Sequence, residues 1–215
     1  MREKRGYLVP FQEAESELVE KKSRFLGHVQ RVETEEEARA VIDQVQKKYY
    51  DARHHCWCYV LHHGNVLRYS DDGEPQGTAG QPMLNVFQQE GVEDVVCVVT
   101  RYFGGILLGA GGLTRAYAKS AKDTLDAAGI ACMQPWKMMR LDCPYSMLER
   151  FKLLLMAQGG VIERADYGAT IEIQARVPVE RAGIFEKEVT ELSAGSMKID
   201  WCGEHFFAKP CEEGK

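Results

Sequence analysis

The chain has 215 residues, of which 45% are hydrophobic and 27% charged, a composition typical of a globular protein with one large or two small domains. Its formal net charge of -5 argues against non-specific nucleic-acid binding through bulk charge, so any RNA contact requires a local basic patch. No apolar run reaches the ~18 residues of a membrane span. Seven scattered cysteines without a C-x-x-C motif suit a reducing compartment. We therefore expect a cytoplasmic protein without membrane contact.

Strand and helix patterns alternate through the first half of the chain. Thr34 and Glu37 form a capping box before one helix, and Gly129 is placed to end another. Residues 95–99 are uninterrupted apolar and β-branched, which predicts a strand buried on both faces. In chain order, the predicted elements are a strand (24–32), a helix following Thr34, a hairpin of two strands (55–61 and 66–70), a helix (79–90), the buried strand (95–99) and a helix (113–128).

The second half of the chain predicts a domain of its own, beginning near Trp136. Ser146 and Glu149 form another capping box, and residues 170–177 alternate apolar and polar side chains, as in a sheet with one buried face. The predicted elements are a strand (137–142), a helix (146–158), two strands (160–165 and 170–177), a helix (179–193) and a strand (196–201). This β-α-β-β-α-β order is the ferredoxin-like one. We therefore predict an α+β protein with domains at residues 1–135 and 136–215.

A glycine-rich stretch, residues 104–112, lies between the buried strand and the helix that follows it. Glycines there allow a ligand to approach the backbone, and the free N–H groups and dipole of a helix start favour an anion. The spacing matches neither a P-loop nor a dinucleotide-binding fingerprint, and a purely structural role in a tight, closely packed turn stays open. The candidate anion-binding or nucleic-acid-binding residues are Arg101, Gly104, Gly105, Gly109, Gly111, Gly112, Thr114, Arg115 and Lys119.

An acid-rich turn, residues 70–80, carries Asp71, Asp72 and Glu74. Three carboxylates this close together suit acid–base catalysis or a divalent cation, although their spacing is not that of an EF-hand. Acids ahead of a helix also cap it and complement its dipole. Both a functional role and a capping role stay open for these three residues.

Two histidines, His54 and His55, stand at the start of the predicted hairpin. On a strand, His54 points to the same side as Cys56 and Cys58, a combination of ligands that zinc accepts. Closed zinc sites usually draw their ligands from two separated pairs, and these three residues lack a fourth ligand at a usual spacing. We expect these histidines to lie in the core or to contact a ligand beside the acid-rich turn, and we expect no metal or other cofactor.

Four blocks of sequence stand out between residues 15 and 130. They are RHHC at 53–56, SDDGEP at 70–75, GTAGQPML at 77–84 and TRYFGGILLGAGGLTRAY at 100–117. Together they closely resemble the IMPACT family, in particular its bacterial YigZ-type members. The second half of the chain is similar to the second domain of those bacterial members.

The resemblance implies a ribosomal protein S5 domain 2-like fold for the first domain, which is shared with domain IV of elongation factor G. It implies that the second domain is similar to domain V of that factor. Eukaryotic members of the family regulate translation through a kinase-activation pathway, using an N-terminal domain without a counterpart in this sequence, so their partners do not carry over. The resemblance therefore implies a link to translation or RNA, without an established reaction.

Three functional hypotheses follow. The favoured one is a translation-linked protein that contacts RNA, the ribosome or a translation factor through the glycine-rich stretch and its flanking cations. Tyr102, Phe103 and Tyr117 are its candidate stacking partners for bases. The second is an enzyme that acts on a small phosphorylated or peptide substrate through the acid-rich turn with His54 or His55. The third is a protein-interaction module without chemistry. The sequence does not predict an oligomeric state.

Overall fold

The computed structural model describes residues 6–210, and the chain divides into two compact units whose main segments are Tyr7–Cys132 and Met133–Phe207. The basic N-terminal residues 1–5 and Cys211 lie outside the described residues. None of the helices within residues 6–210 combines the length and apolar character needed to cross a membrane.

The N-terminal unit is built on a five-stranded sheet. Its elements are β1 (Tyr7–Pro10), β2 (Ala14–Glu20), β3 (Ser23–Arg31), α1 (Glu35–Lys48), β4 (His54–Leu61), β5 (Val66–Ser70), α2 (Gly80–Glu90), β6 (Val95–Tyr102) and α3 (Ala110–Ala128). The sheet has the order β2-β3-β6-β4-β5, and its neighbouring strands are antiparallel. Apolar residues of α2 and α3 pack on one face of this sheet, and those of α1 pack on the other.

The central position of β6 explains its composition. Its residues from Val95 to Arg101 are all buried, which confirms the predicted strand with two buried faces. Val99 contributes to the core beneath α2 and α3, whereas Val98 contributes to the core beneath α1. Because β4 and β6 are antiparallel, the start of β4 lies beside the end of β6, and His54 pairs in register with Arg101 there.

The predicted helix signals act as expected in α1. The Thr34 hydroxyl accepts a hydrogen bond from the N–H of Glu37 at 3.1 Å, and the Glu37 carboxylate accepts one from the N–H of Glu33 at 2.7 Å. The side chain of Glu37 thus reaches one residue further back than in a standard capping box. Gly129, with φ of 69°, follows the last residue of α3, as predicted.

Two strands and one helix boundary differ from the sequence-based expectation. The strands β1 and β2 were not expected, because β1 has only four residues and β2 has no fully buried side chain and three glutamates. The second difference concerns α3, which begins at Ala110 and not at residue 113. Gly111 and Gly112 therefore lie in the first turn of this helix.

The C-terminal unit has the predicted β-α-β-β-α-β order. Its elements are β7 (Ile130–Cys143), α4 (Leu148–Ala157), β8 (Val161–Tyr167), β9 (Ile171–Pro178), α5 (Val179–Ser193) and β10 (Asp200–Pro210). β9 pairs antiparallel with both β7 and β8, while β7 also pairs with β10. The alternating apolar residues of β9, from Ile171 to Val177, are fully buried against apolar residues of α4 and α5.

Two local expectations for the C-terminal unit were wrong. The capping box of Ser146 and Glu149 does not form, because a 3-10 turn occupies Tyr145–Met147 and α4 begins only at Leu148. Glu149 instead pairs with Lys152 at 2.8 Å. The last strand begins at Asp200 and not at residue 196, since the chain first completes the turn that follows α5.

Candidate functional site

The acid-rich turn caps α2 through Asp71. One carboxylate oxygen of Asp71 accepts hydrogen bonds from the N–H groups of Ala79 and Gly80 at 3.0 and 2.9 Å. The other accepts one from the N–H of Gly77 at 2.8 Å. Asp71 therefore satisfies donors at the start of the helix and places a negative charge at the positive end of its dipole.

Asp72 holds the two histidines in place. Its carboxylate accepts a hydrogen bond from the N–H of His55 at 2.6 Å, and its carbonyl oxygen lies 2.8 Å from Nδ1 of His54. A carbonyl oxygen only accepts, so Nδ1 of His54 carries a hydrogen and its Nε2 is the acceptor of the neutral ring. His55 is buried beside Thr100, and burial lowers the pKa of its imidazole. The neutral form of His55 is thereby favoured.

Glu74 and Arg101 form a buried ion pair. Arg101 Nη1 lies 2.7 Å from Glu74 Oε1, and the two side chains are only 7% and 3% exposed. The Tyr117 hydroxyl donates to the same oxygen at 2.8 Å. The guanidinium of Arg101 also lies 5.6 Å from the ring centroids of both Phe25 and Phe103. Arg101 is therefore a neutralised, packed side chain.

The thiol beside this ion pair is structural in character. Cys56 is fully buried and donates from Sγ to the carbonyl oxygen of Asp71 at 3.0 Å. Burial raises the pKa of Cys56 and that of Tyr117 well above their ordinary values, so both groups keep their protons at neutral pH. Within residues 6–210, no three His, Cys, Asp or Glu side chains are grouped so as to hold a metal ion.

The start of α3 differs from that of α2, because it has no side-chain cap. Gly109, with φ of 73°, precedes the helix and has no side chain with which to cap it. Within the part of the chain that the structure describes, the N–H groups of residues 110–112 donate to no side chain, and the first helical bond runs from Leu113 to Gly109. Thr114 donates its hydroxyl to the carbonyl of Ala110.

A cleft of about 270 Å³ opens beside this helix start. Its lining residues are Leu18, Glu20, Lys21, Leu108, Gly112, Arg115, Ala116 and Lys119, and we call it the Arg115 cleft. A Cβ atom on Gly111 would lie 3.6 Å from Arg115 Nη1, so the guanidinium lies over the first turn of α3. Lys119 is also paired with Asp123 at 2.7 Å. Lys21, Arg115 and Lys119 thus line a cleft beside the start of α3, together with the carboxylate of Glu20.

A second cleft, of about 480 Å³, lies on the other side of the same loop. Its lining residues are Asp51, Ala52, Arg53, His54, Arg101, Tyr102, Phe103 and Leu107, and we call it the Phe103 cleft. Leu107 belongs to this cleft, whereas its neighbour Leu108 belongs to the Arg115 cleft. The structure therefore separates Arg101 from Arg115 and Lys119, which the sequence had grouped together.

The glycines of the loop have different roles. A Cβ atom on Gly104 would lie 2.0 Å from the backbone of Lys22, so this glycine permits close packing against the turn between β2 and β3. Gly105 and Gly109 have positive φ angles and open surroundings, and Gly111 faces Arg115. Sequence analysis missed Lys21, because the turn that presents it follows the unexpected strand β2.

Comparisons with known proteins add to this geometry. Residues 21–125 match the family model described as "Impact N-terminal domain", and residues 141–196 match "Domain of unknown function (DUF1949)". The chain is 37% identical to "IMPACT family member YvyE" of Bacillus subtilis, over 90% of each chain. It is 36% identical to "IMPACT family member YigZ" of Escherichia coli, over 83% of this chain and 89% of the relative.

A more distant relative and a solved structure show the same likeness. The chain is 37% identical to "Protein IMPACT homolog" of Dictyostelium discoideum, over 51% of this chain and 31% of that protein. A solved structure described as "Crystal structure of an hypothetical protein" matches with a TM-score of 0.59 and 34% identity, and covers 91% of this chain and 96% of its own. The latter likeness supports a compact α+β fold for the chain.

Proposed function

The chain belongs to the IMPACT family, and from this membership we propose that it is a cytoplasmic, translation-linked protein that binds RNA through the Arg115 cleft. The observation that carries the proposal is a cleft beside the start of α3 that Lys21, Arg115 and Lys119 line, with the Arg115 guanidinium over the first turn of the helix. The expected ligand is the phosphate backbone of RNA, as found free or in the ribosome.

Four physical properties of the Arg115 cleft support a phosphate ligand. The first N–H groups of α3 lack intrahelical acceptors, and the helix dipole adds about half a positive charge at that end. The Arg115 guanidinium offers two parallel donors to a phosphate, and Lys21 adds a second cation from the turn before β3. A local basic site of this kind accommodates RNA even though the whole chain has a net charge of -5.

We also propose finer fold assignments for the two units. The N-terminal unit is assigned the ribosomal protein S5 domain 2-like fold, and the C-terminal unit the ferredoxin-like fold. The β-α-β-β-α-β order of the C-terminal unit and its two helices packed on one sheet support the second assignment. The family membership of the chain supports the first.

The enzyme hypothesis has less support from the acid-rich turn. Asp71 caps α2, Asp72 accepts from the N–H of His55, and Glu74 neutralises Arg101. A general acid or base must reach a substrate proton, and these carboxylates are already engaged in holding the fold. The geometry therefore favours a binding protein, in which the acid-rich turn positions the loop that separates the two clefts.

The proposal is tested by RNA binding and by co-sedimentation with ribosomes. We expect Arg115→Ala to weaken RNA binding by about 1–3 kcal/mol, because it removes a charge-assisted contact. Arg39→Ala is the matched control, since Arg39 lies on α1 with 74% of its side chain exposed. Equal RNA binding by the parent and both variants would show that RNA does not bind in the Arg115 cleft. Binding to a translation factor without binding to RNA would favour the protein-interaction hypothesis.

A further inference from the structure

We infer that the Phe103 cleft receives an unpaired nucleotide of the RNA whose backbone lies in the Arg115 cleft, with its base stacked on Phe103. This inference rests on the proposed function and names the class of RNA that the protein recognises. The two clefts thus have different roles in binding. The Arg115 cleft holds phosphate, and the Phe103 cleft selects for single-stranded RNA.

The ring of Phe103 is an exposed aromatic surface that contacts a fixed cation. Phe103 is 55% exposed, yet its ring centroid lies 5.6 Å from the guanidinium carbon of Arg101. Arg101 is fixed in turn by the buried ion pair with Glu74. An aromatic ring that is already held in place loses little conformational entropy when a base stacks on it. The buried ion pair therefore positions Phe103 through the contact of Arg101 with its ring.

The rest of the Phe103 cleft offers polar partners for a nucleotide. Arg53 is an exposed cation, and Nε2 of His54 is the acceptor of the neutral imidazole. Within residues 6–210, the buried Nε of Arg101 has no hydrogen-bond partner, which is costly for a donor unless a ligand or water satisfies it. The Tyr102 hydroxyl donates to Asp51, which, with a smaller contribution from burial, raises the pKa of Tyr102 to about 12.

The size of the cleft fits one nucleotide. A cavity of about 480 Å³ falls within the range of small-molecule sites in proteins, roughly 300–1,000 Å³. A nucleotide combines a flat apolar face, donors and acceptors at its edge, and a phosphate. The lining of Phe103, His54 and Arg53 matches these three chemical properties in turn.

The position of the two clefts requires an unpaired strand. They flank one loop, and their nearest lining residues, Leu107 and Leu108, are adjacent in the chain. Because the two clefts share this loop, we infer that one strand crosses it and contacts both. In a duplex, the face of a base is covered by its neighbours, and only an unpaired base is free to stack on Phe103.

Fluorescence anisotropy with one RNA sequence, offered single-stranded and as a duplex, tests the inference. We expect the parent protein to prefer the single strand. Phe103→Leu should weaken single-strand binding by about 5- to 150-fold, the range for losing one stacked base, with little effect on the duplex. Arg53→Ala is a second variant and should also weaken single-strand binding. Tyr69→Leu is the control, because Tyr69 is an exposed aromatic on the edge strand β5.

The outcomes separate this inference from the proposed function. If the parent binds single strand and duplex equally, and Phe103→Leu and Arg53→Ala bind as the parent does, the inference is overturned while the proposed function stands. If the parent binds neither RNA at low salt, the proposed function fails and the inference fails with it. Circular dichroism of each variant confirms that a loss of binding is not a loss of fold.

Discussion

The helices α2 and α3 begin in opposite ways. The start of α2 is closed by the carboxylate of Asp71, which accepts hydrogen bonds from three backbone N–H groups. The start of α3 has no side-chain cap and is preceded by Gly109. Both helices pack on the same face of the same sheet, so the difference does not come from their place in the fold.

The difference indicates which motif maintains the fold and which is available to a ligand. Every helix start has N–H donors that need an acceptor. In the acid-rich turn the protein supplies that acceptor itself, and Glu74 is likewise engaged with Arg101. At the glycine-rich stretch, the Arg115 guanidinium lies over donors that the described part of the chain leaves without a side-chain acceptor. The acid-rich turn therefore stabilises the fold, and we assign ligand binding to the glycine-rich stretch.

The largest expected effect is on the buried ion pair. Glu74→Ala should lower the free energy of unfolding by about 3–5 kcal/mol, because it leaves the Arg101 charge buried without a partner. Urea unfolding followed by circular dichroism measures this change. The double variant Glu74→Met with Arg101→Met should recover much of the loss, since two apolar side chains remove the unpaired charge. A loss below about 1 kcal/mol in Glu74→Ala would show that solvent reaches this pair.

The cap of α2 should contribute less to stability than the ion pair does. Asp71→Ala should lower the free energy of unfolding by about 2 kcal/mol, because three N–H donors lose their acceptor. Asp43→Ala, at an exposed position of α1, is the matched control and should change stability by less than about 0.5 kcal/mol. Equal stability of the two variants would mean that water replaces the cap of α2 at no cost.

The smallest expected effect is that of Gly111→Ala, which should raise stability and weaken RNA binding. Gly111→Ala should stabilise the free protein by about 0.5–1 kcal/mol, because alanine favours the helix and its Cβ atom meets only Arg115 at 3.6 Å. The same methyl group should weaken RNA binding by obstructing the helix start. Gly183→Ala in α5 is the control, since its Cβ atom would meet nothing within 4 Å. It should stabilise the protein to a similar degree and leave binding unchanged.

Elements with a strong local pattern were predictable from the sequence. A few neighbouring residues are enough to predict which faces of such an element are buried. Examples are the apolar stripe of α1, the uninterrupted apolar run in β6 and the alternation in β9. The edge strand β2 has no such pattern, because its glutamates face solvent on an outer strand. Lys21, in the turn after β2, consequently could not be placed beside Arg115.

The sequence indicated the kinds of residue in the candidate site, but not that Arg101 forms an ion pair with Glu74. The glycine-rich stretch predicted a helix start with Arg115 near it, but the helix begins at Ala110 and not at residue 113. The partnership of Arg101 with Glu74 joins residues 27 positions apart, and helical or strand periodicity does not reach that far. One signal was available: Arg101 lies near the end of an apolar strand buried on both faces, and a charge in such a place needs a buried counter-ion.

The salt dependence of RNA binding tests the central claim most directly. Anisotropy titrations at several salt concentrations give the slope of log affinity against log salt for the parent and for Arg115→Ala. We predict that Arg115→Ala lowers the magnitude of the slope by about 0.7 for a single strand, the value for one lost phosphate contact. An unchanged slope and an unchanged affinity in Arg115→Ala would contradict the assignment of the Arg115 cleft to the RNA backbone.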